Sequence, residues 1–214
     1  GSFLEGYDVK FEGEGNILAS DISKGCVCRF DLSGKFLGRL LEGSARAPSH
    51  IAVGKDGRIA VMDQDASSIF ILSAGGRLLK KESIRFGKGP VSIDMYDMAF
   101  APDGTLYFLD GPAGRIFALP KNIGKVRVFS VPVFTLQASL NVDAKGFIYL
   151  LNVSTRRILI YSSSGVLRGR IEEPPGSAQR RFEFPFAVVF DRDDRIYVAD
   201  AAHPHFTRVD PLTT

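Results

Sequence analysis

The chain has 214 residues, of which 45% are hydrophobic and 24% charged, and its formal net charge is +3. This composition is ordinary for a globular protein, and so small a positive charge is too weak to indicate nucleic-acid binding by itself. No run approaches 18 consecutive apolar residues, so the sequence predicts no transmembrane helix.

One ten-residue interval recurs five times along the chain. In each copy an apolar residue is followed ten positions later by Asp or Asn, with a turn signal between them. The pairs are Phe11 and Asp21, Val53 and Asp63, Phe100 and Asp110, Val142 and Asn152, and Phe190 and Asp200. The Asp/Asn position advances by 42, 47, 42 and 48 residues. A period of this length built from short strands predicts an all-β chain folded as a β-propeller.

Each repeat reads as four short antiparallel strands. The second repeat shows them most clearly, at about 50–53, 58–62, 68–72 and 77–80, separated by clusters of Gly, Asp and Ser. The repeats span approximately 7–43, 48–84, 95–131, 137–172 and 184–214, which predicts a single propeller domain over residues 1–214. Several strands are apolar at consecutive positions, so both faces of each sheet are expected to be covered.

The last repeat ends after its third strand, while residues 2–6 resemble the end of a fourth strand. Residues 2–6 are therefore expected to complete the last blade and to remove an exposed sheet edge. A closed five-bladed ring is the favoured architecture, and an incomplete six-bladed ring is the alternative. If the edge stays open, assembly through that edge is expected.

The repeats resemble the NHL family of β-propellers. The best match covers residues 185–191 and continues through 195–200, and the stretches 48–63 and 96–110 follow closely. The first repeat departs from the pattern because Gly15 is preceded by Glu14 rather than Asp, and the fourth because Asn152 replaces Asp. The resemblance implies four-stranded blades. Some similar proteins are metal-dependent lyases or gluconolactonases with a site at the propeller axis.

A candidate metal site follows from the position three residues before the apolar residue that opens each ten-residue interval. The first strand of a blade begins near this position. That position holds Asp8, His50, Asp97, Ser139 and Ala187. Two carboxylates and an imidazole suit a divalent cation, so Asp8, His50 and Asp97 are the predicted metal ligands. The alternative is that both aspartates stabilise loops and that His50 is hydrogen-bonded locally.

Other chemistry-bearing residues have simpler interpretations. Cys26 and Cys28 lie two apart in a strand and are expected to be small buried side chains without a disulfide. His203 and His205 are expected to be solvated loop residues. The Asp/Asn column is expected to stabilise turns, because a catalytic group would not recur in every blade. The sequence holds no nucleophile elbow, phosphate loop or Cys-x-x-Cys motif.

The function favoured by this regular repeat is a non-catalytic scaffold that binds a protein or another macromolecule through its loops and central mouth. The alternative is a metal-dependent lyase or hydrolase with a site at the propeller axis. No cofactor is expected apart from that divalent ion. RNA binding is disfavoured because basic pairs such as Arg156 and Arg157 are interleaved with acids. A periplasmic or extracellular location is expected from the resemblance, with the cytoplasm as the alternative.

Overall fold

The structure is a computed structural model of the whole chain, and it describes residues 5–13, 15–86, 89–90, 95–122, 125–133, 138–172, 182–191, 193–202 and 206–209. Every regular element in these ranges is a β-strand. None of the described residues belongs to a helix long and apolar enough to span a membrane. The chain divides into two compact units, Gly1–Asp94 and Met95–Thr214.

The first unit contains two four-stranded sheets and a small hairpin. The strands of the first sheet are β1 (Gly6–Glu12), β2 (Asn16–Asp21), β3 (Cys26–Asp31) and β4 (Phe36–Leu40). Those of the second are β5 (Pro48–Val53), β6 (Ile59–Asp63), β7 (Ser68–Leu72) and β8 (Leu78–Ser83). The hairpin pairs β9 (Arg85–Phe86) with β10 (Gly89–Pro90). Both sheets run in simple chain order, with antiparallel neighbours.

The second unit contains three further sheets of the same kind. The third sheet has β11 (Met95–Phe100), β12 (Leu106–Asp110), β13 (Arg115–Leu119) and β14 (Arg127–Ser130). The fourth has β15 (Ala138–Val142), β16 (Ile148–Asn152), β17 (Arg157–Tyr161) and β18 (Leu167–Ile171). The fifth has β19 (Pro185–Phe190), β20 (Ile196–Asp200) and β21 (Thr207–Val209), three strands among the described residues.

The predicted all-β propeller architecture with five blades is confirmed by these five meander sheets. The strand positions also agree, although β8 extends to Ser83, beyond the predicted end of its strand. Glu5 and Gly6 belong to the first sheet, because Gly6 pairs with Asp21 and the Glu5 carbonyl accepts a hydrogen bond from Ile22. The expectation that residues 2–6 complete the last blade is therefore wrong for Gly6, which pairs within the first sheet, and residues 2–4 lie outside the described residues.

The core of each unit consists of apolar layers between its consecutive sheets. One layer joins the first and second sheets through Leu18, Val27, Ile51 and Phe70. Within the second unit, one layer lies between the third and fourth sheets and another between the fourth and fifth. The second strands β6, β12 and β16 are buried at every position. Burial on both faces explains their continuous apolar sequences.

Turn glycines adopt the left-handed conformation that the repeat predicts. Gly57 has a φ of 78°, Gly104 82° and Gly146 85°, and Asp194 fills the same position in the fifth repeat at 59°. The first repeat differs, because its left-handed residue is Gly13, at 61°. Glycine pays no Cβ penalty in this region, which explains its recurrence at these turns.

Candidate functional site

The amino ends of the first strands have an irregular backbone in four of the five sheets. The register with the second strand shifts between Gly6 and Val9 in the first sheet and between Pro48 and Ile51 in the second. The third and fifth sheets have a shift at the same place. The first strand is also the edge of its sheet, so alternate backbone N–H groups point away from the second strand and need another acceptor.

Side chains of the preceding sheet supply that acceptor. Asp8 Oδ2 accepts a hydrogen bond from Ile51 N at 2.8 Å, and Asp97 Oδ2 accepts one from Leu140 N at 3.0 Å. Ser139 Oγ accepts a longer one from Val188 N, at 3.4 Å. The position singled out in the sequence therefore links each sheet to the next in at least three of the repeats.

Both oxygens of the two aspartates are engaged. Asp8 Oδ1 accepts from Val9 N at 2.8 Å and lies 3.3 Å from the Lys10 ammonium. Asp97 Oδ1 accepts from Met98 N at 2.8 Å, and Asp97 Oδ2 also accepts from the Ser139 hydroxyl at 3.2 Å. Each of the four carboxylate oxygens therefore accepts at least one hydrogen bond within the protein.

His50 lies beside Asp8 at this end of the first unit. It immediately precedes Ile51, whose N–H Asp8 binds, and its side chain is 6% exposed. The Tyr7 ring packs edge-on against the imidazole, with ring centroids 4.9 Å apart. Tyr7 is itself 46% exposed, so it forms the boundary between His50 and solvent.

The structure brings Asp8 and His50 together in the first unit, whereas Asp97 belongs to the second. Among the described residues, no three or more His, Cys, Asp and Glu side chains form a group that could hold a metal ion. The metal set of Asp8, His50 and Asp97 stays a prediction. The loop histidines His203 and His205 lie outside the described residues.

The Asp/Asn column connects the start of a blade to its second turn. Asp63 accepts hydrogen bonds from Arg46 N at 2.9 Å, Ala47 N at 3.2 Å and Ala66 N at 3.2 Å. Asp200 does the same with the backbone of residues 183, 184 and 202, at 2.6–3.0 Å. This bonding confirms the turn-stabilising interpretation and excludes a free ring of acids at these two positions.

The two cysteines are buried and reduced. Burial first, and the neighbouring Cys28 second, raise the pKa of the Cys26 thiol from 9.0 to about 11. A thiol that resists ionisation is a poor nucleophile and a poor metal ligand, as expected for a small packing residue.

The sequence did not reveal the roles of Tyr7 and Ser139. The only sequence feature that pointed to Tyr7 was its position directly before Asp8, a predicted site residue. Ser139 occupies the same repeat position as Asp8, His50 and Asp97, but a hydroxyl at that position indicated only a poor metal ligand. Its use as an acceptor for Val188 N depends on the neighbouring sheet, which local sequence does not show.

No family model matches this chain, and no curated protein matches it in sequence. Solved structures with the same fold do match. Virginiamycin B lyase from Staphylococcus aureus superposes with a TM-score of 0.70 at 15% identity, covering 99% of this chain and 72% of the lyase. A streptogramin B lyase structure gives 0.71 at 14% identity, covering 97% of this chain and 69% of that one.

Two further structures extend the comparison. A catalytically inactive His-to-Ala variant of the Staphylococcus aureus lyase with quinupristin gives a TM-score of 0.70 at 13% identity, covering 96% of this chain and 66% of the lyase. The calcium-binding protein regucalcin from Agrobacterium tumefaciens gives a TM-score of 0.65 at 18% identity, covering 94% of this chain and 70% of regucalcin. These similarities support the propeller fold.

The comparisons correct the functional prediction made from the sequence. The preference for a non-catalytic scaffold, with its lean against an enzyme, is wrong, because the structural neighbours include virginiamycin B lyase. The error arose from reading a regular repeat with few catalytic residue types as evidence against catalysis. Propeller blades are a scaffold that carries unrelated functions, so their regularity is uninformative about activity.

Proposed function

We propose that this chain is a lyase or hydrolase built on NHL-type propeller blades, with its chemistry at the amino ends of the first strands. The observation that carries the proposal is the superposition on virginiamycin B lyase over nearly the whole chain. At 15% identity the superposition assigns no reacting group, so the candidates are polar side chains of this chain at the amino ends of the first strands.

His50 is the proposed general acid–base residue. Imidazole is the side chain most often used to transfer protons in enzymes, because its charge changes near neutral pH. The backbone that carries His50 is held by the bond from Ile51 N to Asp8. Tyr7 covers one side of the ring, which restricts the approach of a substrate and limits rotation of the imidazole.

A divalent metal fits the predicted ligands poorly. Both oxygens of Asp8 and of Asp97 already accept hydrogen bonds, and the Lys10 ammonium beside Asp8 opposes a second cation. The proposed chemistry therefore uses proton transfer by His50.

The proposal is tested by incubating the purified chain with quinupristin and with a panel of simple lactones and cyclic depsipeptides. Mass spectrometry separates the two reaction classes. A lyase opens the ring by elimination and leaves the mass unchanged, whereas a hydrolase adds one water. Assays with and without a chelator report metal dependence directly.

The decisive variant is His50→Ala, which we expect to lower kcat/KM by about 10²–10⁴-fold. Tyr149→Phe is the matched control, because it also removes a buried polar ring function but lies in the fourth sheet. No turnover of any compound in the panel, or full activity in His50→Ala, would contradict the proposal.

A further inference from the structure

The first sheet carries large exposed apolar side chains on one face, although Ala19 and Cys28 on that face are buried. We call this the leading face, and it is the face opposite to the second sheet. Val9 and Phe11 lie on it and are 60% and 70% exposed. They pair with Ala19 and Ile17 of β2, which point the same way. The opposite face carries Leu18 and Val27, which pack against the second sheet.

The repeat shows what the leading face is built to contact. The counterparts of Val9 are Ile51, Leu140 and Val188, and all three are buried in an apolar layer against the preceding sheet. The counterparts of Phe11 pack into the same layers, namely Val53, Val142 and Phe190. Val9 and Phe11 therefore occupy positions that elsewhere contact a neighbouring blade.

The last sheet is exposed on the opposite side. We call this the trailing face, and it is the face pointing away from the fourth sheet. Phe206, just before β21, is 64% exposed, and Val189 of β19 is 42% exposed. The counterparts of Phe206 are Val27, Ile116 and Ile158, each buried in a layer against the following sheet. Phe206 thus lacks the contact that its counterparts make.

The leading face and the trailing face are the two types of sheet surface that pack against each other between consecutive blades. Wherever consecutive sheets pack within a unit, the trailing side of one meets the leading side of the next. A trailing face and a leading face are each left exposed on this chain. Large exposed aromatic and aliphatic side chains that share one sheet face are typical of interaction surfaces.

We propose that a second copy of this chain covers these faces, with the trailing face of one copy packed on the leading face of the next. The contact reproduces the packing between consecutive blades, in which apolar sheet faces lie against each other. It joins two different surfaces, so it is a head-to-tail interface rather than a two-fold symmetric one. Phe11 and Phe206 are its central side chains.

The test is the mass of the purified 214-residue chain in solution, measured by sedimentation velocity over about a hundredfold range of concentration. The mass is expected to rise above that of a monomer with concentration. Phe11→Asp and Phe206→Asp should each weaken association by at least about tenfold, since a carboxylate in an apolar contact must be desolvated. Leu78→Asp is the matched control, because Leu78 is 46% exposed but lies in the second sheet.

A mixing experiment identifies the geometry. Each aspartate variant retains one intact face, so an equimolar mixture of Phe11→Asp and Phe206→Asp should form a dimer and nothing larger. Circular dichroism checks that both variants fold, and Phe11→Ser replaces Phe11→Asp if that variant does not. A monomer at every concentration would overturn the proposal, and the faces would then take another occupant, such as additional blades of a longer polypeptide. Association that is unchanged in both variants would overturn it equally.

Discussion

Asp8 Oδ2 accepts a hydrogen bond from the backbone N–H of Ile51 at 2.8 Å, which connects the first sheet to the second through a single side chain. The N–H is available because β5 is the edge strand of its sheet, so alternate backbone N–H groups point away from β6. Asp97 and Leu140 repeat the arrangement in the second unit, at 3.0 Å. Consecutive sheets within each unit are thus joined by directional bonds as well as by apolar packing.

Replacing Asp8 should destabilise the protein. In Asp8→Ala the Ile51 N–H loses its acceptor, and an unpaired buried donor costs about 1–3 kcal/mol. Urea unfolding should show this loss in the free energy of unfolding. Asp65→Ala is the control, because Asp65 is exposed in a turn of the second sheet, and it should change stability by less than about 0.5 kcal/mol. Equal stability of the two variants would contradict the linking role.

Replacing Asp63 should cost more than replacing Asp8. Asp63→Ala leaves three backbone N–H groups without their carboxylate, so we expect a loss of about 2 kcal/mol or more. Asp63→Asn keeps one carbonyl oxygen and should lose less. The midpoint of urea unfolding should be lowest for Asp63→Ala, higher for Asp63→Asn and highest for the native protein. A reversed order would contradict the prediction.

Turn residues at one recurring position should respond in opposite ways to substitution. Gly114 has a φ of 59°, and an added Cβ would lie 2.6 Å from the Val131 carbonyl oxygen, so Gly114→Ala should be destabilising by more than about 1 kcal/mol. Arg156 occupies the same position at a φ of 56°. Arg156→Gly relieves that strain and should raise stability by about 0.5–1 kcal/mol. Thermal unfolding of both variants tests the pair, and destabilisation by Arg156→Gly would contradict it.

Stability should fall at alkaline pH. Burial, and then the nearby Asp143 carboxylate, raise the pKa of Tyr149 from 10.0 to about 12. The unfolded chain therefore releases this proton first, and the folded state loses stability as the pH rises from about 10 towards 12. Tyr149→Phe should show a shallower decline in that window. Part of the decline should remain, because burial also raises the pKa of Tyr107 and Tyr161. An unchanged slope in Tyr149→Phe would contradict the assignment.

The thiols should react slowly in the native protein. With the pKa of Cys26 raised to about 11, only about one part in a thousand of it is thiolate at pH 8. Reaction with a thiol reagent should be slow when folded and fast in denaturant. Fast native labelling of two thiols per chain would contradict the burial of Cys26 and Cys28.

The sequence by itself determined the blade architecture, because the interval from Phe11 to Asp21 and its four counterparts encodes a strand, a turn and a second strand through local preferences. It also indicated the turn role of Asp63 and Asp200, since a side chain that bonds nearby backbone needs only short-range geometry. Tertiary structure decided the use of Asp8 and Asp97, whose partners Ile51 and Leu140 lie 43 residues further along the chain. It also decided the exposure of Phe11 and Phe206. Their sequence positions match those of buried counterparts, and whether such a side chain is covered depends on a neighbouring sheet that no local pattern specifies.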